Sequence, residues 1–159
     1  MKKFWWCSSL ILVMLVAGVF WGTWFTLTRS LETFPPDQFI RIGKTIIDNV
    51  AVPMRILMPA TLLVQLLLCL GFWKQKPALY FFAASFIFMI ISLLITLIVE
   101  VPIDNQIKTW TATTIPGNWM ALRATWKEFH FFRTLTSILS FVLLTIPVLF
   151  RHRSRSLYR

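Results

Sequence analysis

The chain has 159 residues, 57% of them hydrophobic and only 14% charged, with a mean hydropathy of +0.72 and a formal net charge of +10. A soluble domain is nearer to about 45–50% apolar and about 25% charged. The balance excludes a disordered chain, a collagen and a disulfide scaffold, and this length holds no large soluble module beside a membrane part.

The first apolar stretch, Phe4–Thr28, exceeds the ~20 residues a helix needs to cross a hydrocarbon core. It also outruns the apolar part of a secretory signal, because Leu15-Val16-Ala17-Gly18 leads into more apolar and aromatic residues. Cys7 precedes the run and fits no lipobox. Gly18-x-x-x-Gly22 reads as a face for close helix packing.

A connection over 29–55 follows. Thr33-Phe34-Pro35-Pro36-Asp37 has the form of a helix start, with proline tolerated in the first turn and the aspartate complementing the helix dipole. Phe39, Ile42, Ile46 and Val50 then recur at helical spacing, while Arg41, Lys44 and Asp48 lie largely on other faces. This predicts an amphipathic helix lying on the membrane or capping the bundle, or an extension of the second spanning helix bent at Pro53 and Pro59.

The second and third spans are expected at 56–73 and 78–99, joined by a short turn carrying Lys74 and Lys76. Gln65 lies inside the second span and needs an interhelical partner. Ser85, Ser92 and Thr96 form a polar stripe on the third that leads towards Glu100. None of the four span interiors contains Lys, Arg, Asp or Glu, since an ion at the bilayer centre costs at least ~2.5 kcal/mol. Alternation of the kind a membrane β-barrel requires is missing, so the fold class is an all-α, four-helix membrane bundle forming one domain.

The second long connection, 100–130, opens with Glu100-Val101-Pro102-Ile103-Asp104-Asn105. Pro102 is expected to stop the third helix and leave the Glu100 carboxylate at the interface. Asn118 is a candidate N-cap for a last helix that starts at Trp119 and contains the fourth span, 131–150. At roughly 100° per residue, Trp119, Arg123, Trp126, His130, Arg133 and Ser137 share one stripe. Facing this stripe with that of the third helix would bring Glu100 near Arg123 or Arg133. As alternatives, the tryptophans form an interfacial belt and Arg55 and Arg133 snorkel outward.

Charge placement predicts orientation. Lys2, Lys3, Lys74, Lys76 and the basic tail at 151–159 carry half of the 16 cations and none of the six acids. By the positive-inside rule these segments are cytoplasmic, so both termini are expected inside and the two long connections outside. The compact basic loops point to a bacterial inner membrane. Arg151, Arg153, Arg155 and Arg159 then act as a topology anchor meeting anionic headgroups, with His152 solvated. No motif that reads nucleic acid accompanies the charge. Cys7 and Cys69 both fall near the cytoplasmic ends of their helices, which excludes a thiol oxidoreductase facing an oxidising compartment. Glu100, Asp104 and His130 are the one conceivable metal set, and no pair of histidines at one depth is available for haem.

The run Val101-Pro102-Ile103-Asp104-Asn105, followed by Trp126, His130 and Arg133, resembles the anthrone-oxygenase-like family of small membrane proteins. Asn105, Trp126, His130 and Arg133 match its V-P-x-N-type and W-x(3)-H/N-x(2)-R elements, and Asp104 departs from it. Most bacterial members have no assigned function. The resemblance implies oxygenation of an apolar aromatic such as an anthrone, without a classical redox cofactor. Glu100 or His130 would serve as base and Arg123 or Arg133 would stabilise the enolate. Asn105, Trp119 and Trp126 would line the substrate. The competing expectation is a non-enzymatic protein whose outer cap binds a lipid or a partner protein. A channel or transporter would need an oligomer to enclose a path, and homo-oligomerisation is left open.

Overall fold

The computed structural model describes residues 2–156, with side chains through residue 147. The side chains of the basic tail, Arg151, His152, Arg153, Arg155 and Arg159, lie outside the described residues. Among the described residues there is no strand. Four α-helices dominate: α1 (Lys2–Thr26), α2 (Pro36–Gly71), α3 (Lys76–Ile95) and α5 (Trp119–Ser156), with a shorter α4 (Val101–Thr109) between the last two. A 3-10 helix at Thr28–Thr33 follows α1, and a π-helical turn at Thr96–Glu100 joins α3 to α4. Four segments, Lys2–Thr33, Pro36–Gly71, Lys76–Thr109 and Trp119–Pro147, are long and apolar enough to cross a membrane. Ile11, Leu63, Ile87 and Leu139 are exposed on them, as a hydrocarbon solvent requires.

α2 and α5 start well before the apolar stretches that reveal them. The connection at 29–55 is largely the start of α2, which continues through Pro53 and Pro59 without interruption. It is therefore an extension of the second span and not a separate cap. Its buried line is Phe39, Ile40, Gly43 and Ile47. Ile42, Ile46 and Val50 of the expected stripe are only half-buried, and α4 meets α2 one residue further round, at Gly43.

Pro102 does not stop the third helix. Glu100 and Val101 keep right-handed helical dihedrals, and the Val101 N–H bonds to the Thr96 carbonyl five residues back. Widening the turn in this way lets the missing proline N–H fall in the first turn of α4, where no donor is needed. Glu100 is the last residue of the π turn and is buried, not left at an interface.

Trp6 of α1 packs edge-on against Phe72 and Phe82 and donates its indole N–H to the Leu144 carbonyl at 3.0 Å. The start of α1, the α2–α3 turn and the later part of α5 thus share one end, the terminal end. Around it lies a core of Trp6, Val13, Phe72, Phe82, Met89 and Leu144. A second core of Leu31, Phe39, Ile47, Ile103, Ile107, Trp110, Trp119 and Trp126 fills the opposite, distal end. Cys7 and Cys69 belong to the terminal end and are unpaired.

Polar residues fasten the bundle at mid-depth. Gln65 Nε2 donates to Ser85 Oγ (2.9 Å) and Ser140 Oγ (3.2 Å), and Ser85 Oγ donates to the Ser140 carbonyl at 2.8 Å. The expected partner of Gln65 is therefore the α3–α5 seam, which continues as Ser92 Oγ donating to the Arg133 carbonyl.

The glycines reverse an expectation. A Cβ added at Gly18 or Gly22 would meet nothing within 4 Å, so that pair makes no close helix contact. At Gly43 an added Cβ would lie 3.2 Å from Ile107 Cγ2, where α4 sits on α2. Gly43→Leu should cost about 1–3 kcal/mol by overpacking. Thermal unfolding followed by helical circular dichroism would read this, with Gly18→Leu as the silent control.

Candidate functional site

The site forms where the two cores meet. α5 projects Trp126, His130 and Arg133 at spacings of four and three, hence along one face. The segment through the π turn into α4 presents Glu100 and Asp104, again four apart. Phe20 of α1 closes the third side.

Glu100 is 0% exposed. Its Oε2 lies 3.1 Å from Arg133 Nη2, yet neither carboxylate oxygen receives an aligned hydrogen bond. The contact is a charge pair without a directed donor, so both oxygens keep acceptor capacity. An ion without donors is costly in an apolar bundle.

Arg133 directs its N–H groups elsewhere. Nε donates to His130 Nδ1 at 3.1 Å, and Nη2 lies 2.6 Å from the same nitrogen. A guanidinium can only donate, so His130 Nδ1 accepts and the proton sits on Nε2. Nε2 donates in turn to the Phe20 carbonyl at 3.2 Å. Both ring nitrogens are thereby occupied, and a proton arriving at Nδ1 would meet N–H groups already there. The guanidinium also lies 4.6 Å above the Phe20 ring, a cation–π contact that lessens its need for water.

Asp104 accepts the indole N–H of Trp126 at 2.9 Å, and Trp126 stacks on His130 with centroids 5.4 Å apart and planes 20° from parallel. The tryptophan holds the imidazole face and one carboxylate at once. Trp126→Phe should lose roughly 1.5–3 kcal/mol, the range for a hydrogen bond to a charged group, nearer the lower figure because Asp104 is only half-buried. The same thermal unfolding measures it.

The remaining sequence-picked residues sit apart. Arg123 donates to the carbonyls of Leu31 (3.0 Å) and Phe34 (3.2 Å) and covers the Trp119 ring at 4.6 Å. It holds the 3-10 helix against α5 and does not reach Glu100. Trp119 packs on Phe39 within the distal core, so the Trp119 and Trp126 faces do not bracket a common slot. Asn105 is exposed. Glu100, Asp104 and His130 do not form a metal cage. Among the described residues no group of three metal-binding side chains is suitably placed, and His130 offers no free nitrogen.

A model of the anthrone oxygenase family matches residues 45–143, well over half of the chain. The chain belongs to the anthrone oxygenase family. No curated relative and no solved structure matches it. The part shared with other anthrone oxygenase family members runs from within α2 to within α5, and so contains Gln65, Glu100, Asp104, Trp126, His130 and Arg133. Phe20 lies outside it and enters the site through a backbone carbonyl and a ring face. A carbonyl leaves no trace in a residue pattern, which is why the contribution of α1 to the site is not legible in the sequence.

Proposed function

We propose that this member of the anthrone oxygenase family binds an apolar phenolic aromatic of the anthrone type inside the membrane and oxygenates it beside Glu100 and Arg133. One observation carries the reading: a fully buried carboxylate without a hydrogen-bond donor, held next to a guanidinium. An acidic ring C–H or phenolic O–H supplies the donor that Glu100 lacks, and the Arg133 charge favours the enolate that forms. Glu100 takes a proton from the ring methylene. The carbanion is then oxidised by molecular oxygen to a hydroperoxide, which takes up one proton. Loss of water leaves a carbonyl, so that CH2 and O2 become C=O and H2O. His130 positions Arg133 and is not the base, because Nδ1 is already engaged.

Approach from the lipid is supported by a groove of about 330 Å³ between α1 and α5, lined by Met14, Ala17, Gly18, Trp21, Ile138 and Phe141. Ala17 and Trp21 flank Phe20 in sequence, so the groove runs beside the ring that lies against Arg133. The acid-free terminal end supports a cytoplasmic placement of both termini in a bacterial inner membrane.

A second reading has its own support, since Trp126, His130 and Arg133 are all engaged internally. In it the cluster only fastens the bundle and the distal end binds a lipid or partner protein. Oxygen uptake by purified protein given an anthrone decides between them. Saturable uptake above the spontaneous rate is expected, and no turnover across several anthrones retires the oxygenase.

A further inference from the structure

The terminal end carries a feature that the oxygenation site does not use. A cleft of about 290 Å³ opens there between the ends of all four spans, with walls from Trp6, Phe72, Pro77, Ala78 and Pro147 and with Gln75 at its edge. Its lining is apolar and partly aromatic. Trp6 and Phe72 meet edge-on at 6.0 Å, and the Trp6 indole N–H is already spent on Leu144.

The mouth is cationic. Lys2 Nζ lies 5.3 Å from the centre of the Phe72 ring, which is itself part of the wall. Lys76, between the lining residues Gln75 and Pro77, lies 4.9 Å over Trp73, and Lys74 flanks the same edge. All three are exposed, and neither ion pair among the described residues involves them. The chain has no acid at this end, since Glu32, Asp37, Asp48, Glu100, Asp104 and Glu128 belong to the distal half.

We infer that this cleft binds an anionic phospholipid, with the phosphate between Lys2 and Lys76 and the glycerol and first methylenes against Trp6, Phe72 and Ala78. Charge complementarity selects the occupant. A zwitterionic lipid brings its own cation to the lysines and cancels their attraction. Inorganic phosphate has nothing to place on the apolar wall. A second copy of this chain would bring the same cations and be repelled. Basic pockets between spanning helices recognise anionic headgroups by the same physics.

The test uses the full chain in neutral detergent, with phosphatidylglycerol or phosphatidylcholine added in mixed micelles. Thermal unfolding and native mass spectrometry provide the readouts. Phosphatidylglycerol is expected to raise Tm saturably and to be retained at one copy per chain, while phosphatidylcholine does neither. Lys2→Gln and Lys76→Gln should each weaken the effect roughly fivefold. Ala78→Trp fills the cleft and leaves every cation in place, so loss of retention there separates the cleft from general attraction to the basic end. Gln75→Trp, at an exposed position, repeats the test should Ala78→Trp fail to fold. Equal retention of the two lipids, full retention by the cleft-filling variants, or a Tm rise that tracks dimerisation overturns the inference.

Discussion

Arg133→Met is expected to destabilise the bundle by about 3–5 kcal/mol, because it strands the Glu100 carboxylate among apolar groups with no counter-charge. Charge alone does not set this figure. The substitution also removes the donors at His130 Nδ1, and a buried acceptor left empty costs about 1–3 kcal/mol. The two contributions separate in a double variant. Arg133→Met with Glu100→Leu replaces the pair by apolar groups, an exchange that is often neutral. The double variant should recover all but the histidine's share. Thermal unfolding of the single and double variants in detergent gives the coupling. A double variant no more stable than Arg133→Met would show that the pair does not act as a unit.

The second large effect concerns turnover. Glu100→Gln keeps the shape of the side chain but removes the base, so oxygen uptake with an anthrone should fall about 10²–10⁴-fold, the usual contribution of a positioned base. His130→Gln should cost less, because its own loss reaches the reaction only through the aim of Arg133. If instead the histidine were the base, the order of the two losses would invert. Arg133→Lys keeps the charge but loses the planar fork that binds His130 Nδ1, and an intermediate rate is expected. Helical circular dichroism of each variant separates lost chemistry from lost fold.

The proposed phospholipid cleft lies at the terminal end of the bundle, whereas the proposed oxygenation site lies where the two cores meet, and they share no residue. Lys76→Gln is therefore expected to leave oxygen uptake unchanged at saturating anthrone, and Glu100→Gln to leave phosphatidylglycerol retention unchanged.

What the linear chain states about itself is mostly hydrophobicity and period. Four apolar runs whose interiors are free of charge require four spanning helices, because backbone groups in lipid must bond within their own segment. The stripe of Trp126, His130 and Arg133 follows from 3.6 residues per turn, and so does that of Ser85 and Ser92. Family membership is legible too, since a family model matches residues 45–143 of the linear chain.

Other features required the assembled bundle. Pro102 forbids one backbone bond, but only the π turn determines that the helix widens and continues, carrying Glu100 inward. Arg123 and Arg133 are equal candidates on one stripe. The 3-10 helix claims the first through two carbonyls, and the second is left for the carboxylate. The His130 tautomer depends on a guanidinium one turn away and on a main-chain carbonyl of α1 more than a hundred residues earlier. Local pattern specifies which face a side chain occupies. Which neighbour meets that face depends on how the other helices pack, and that arrangement alone made Glu100 a buried acceptor without a donor.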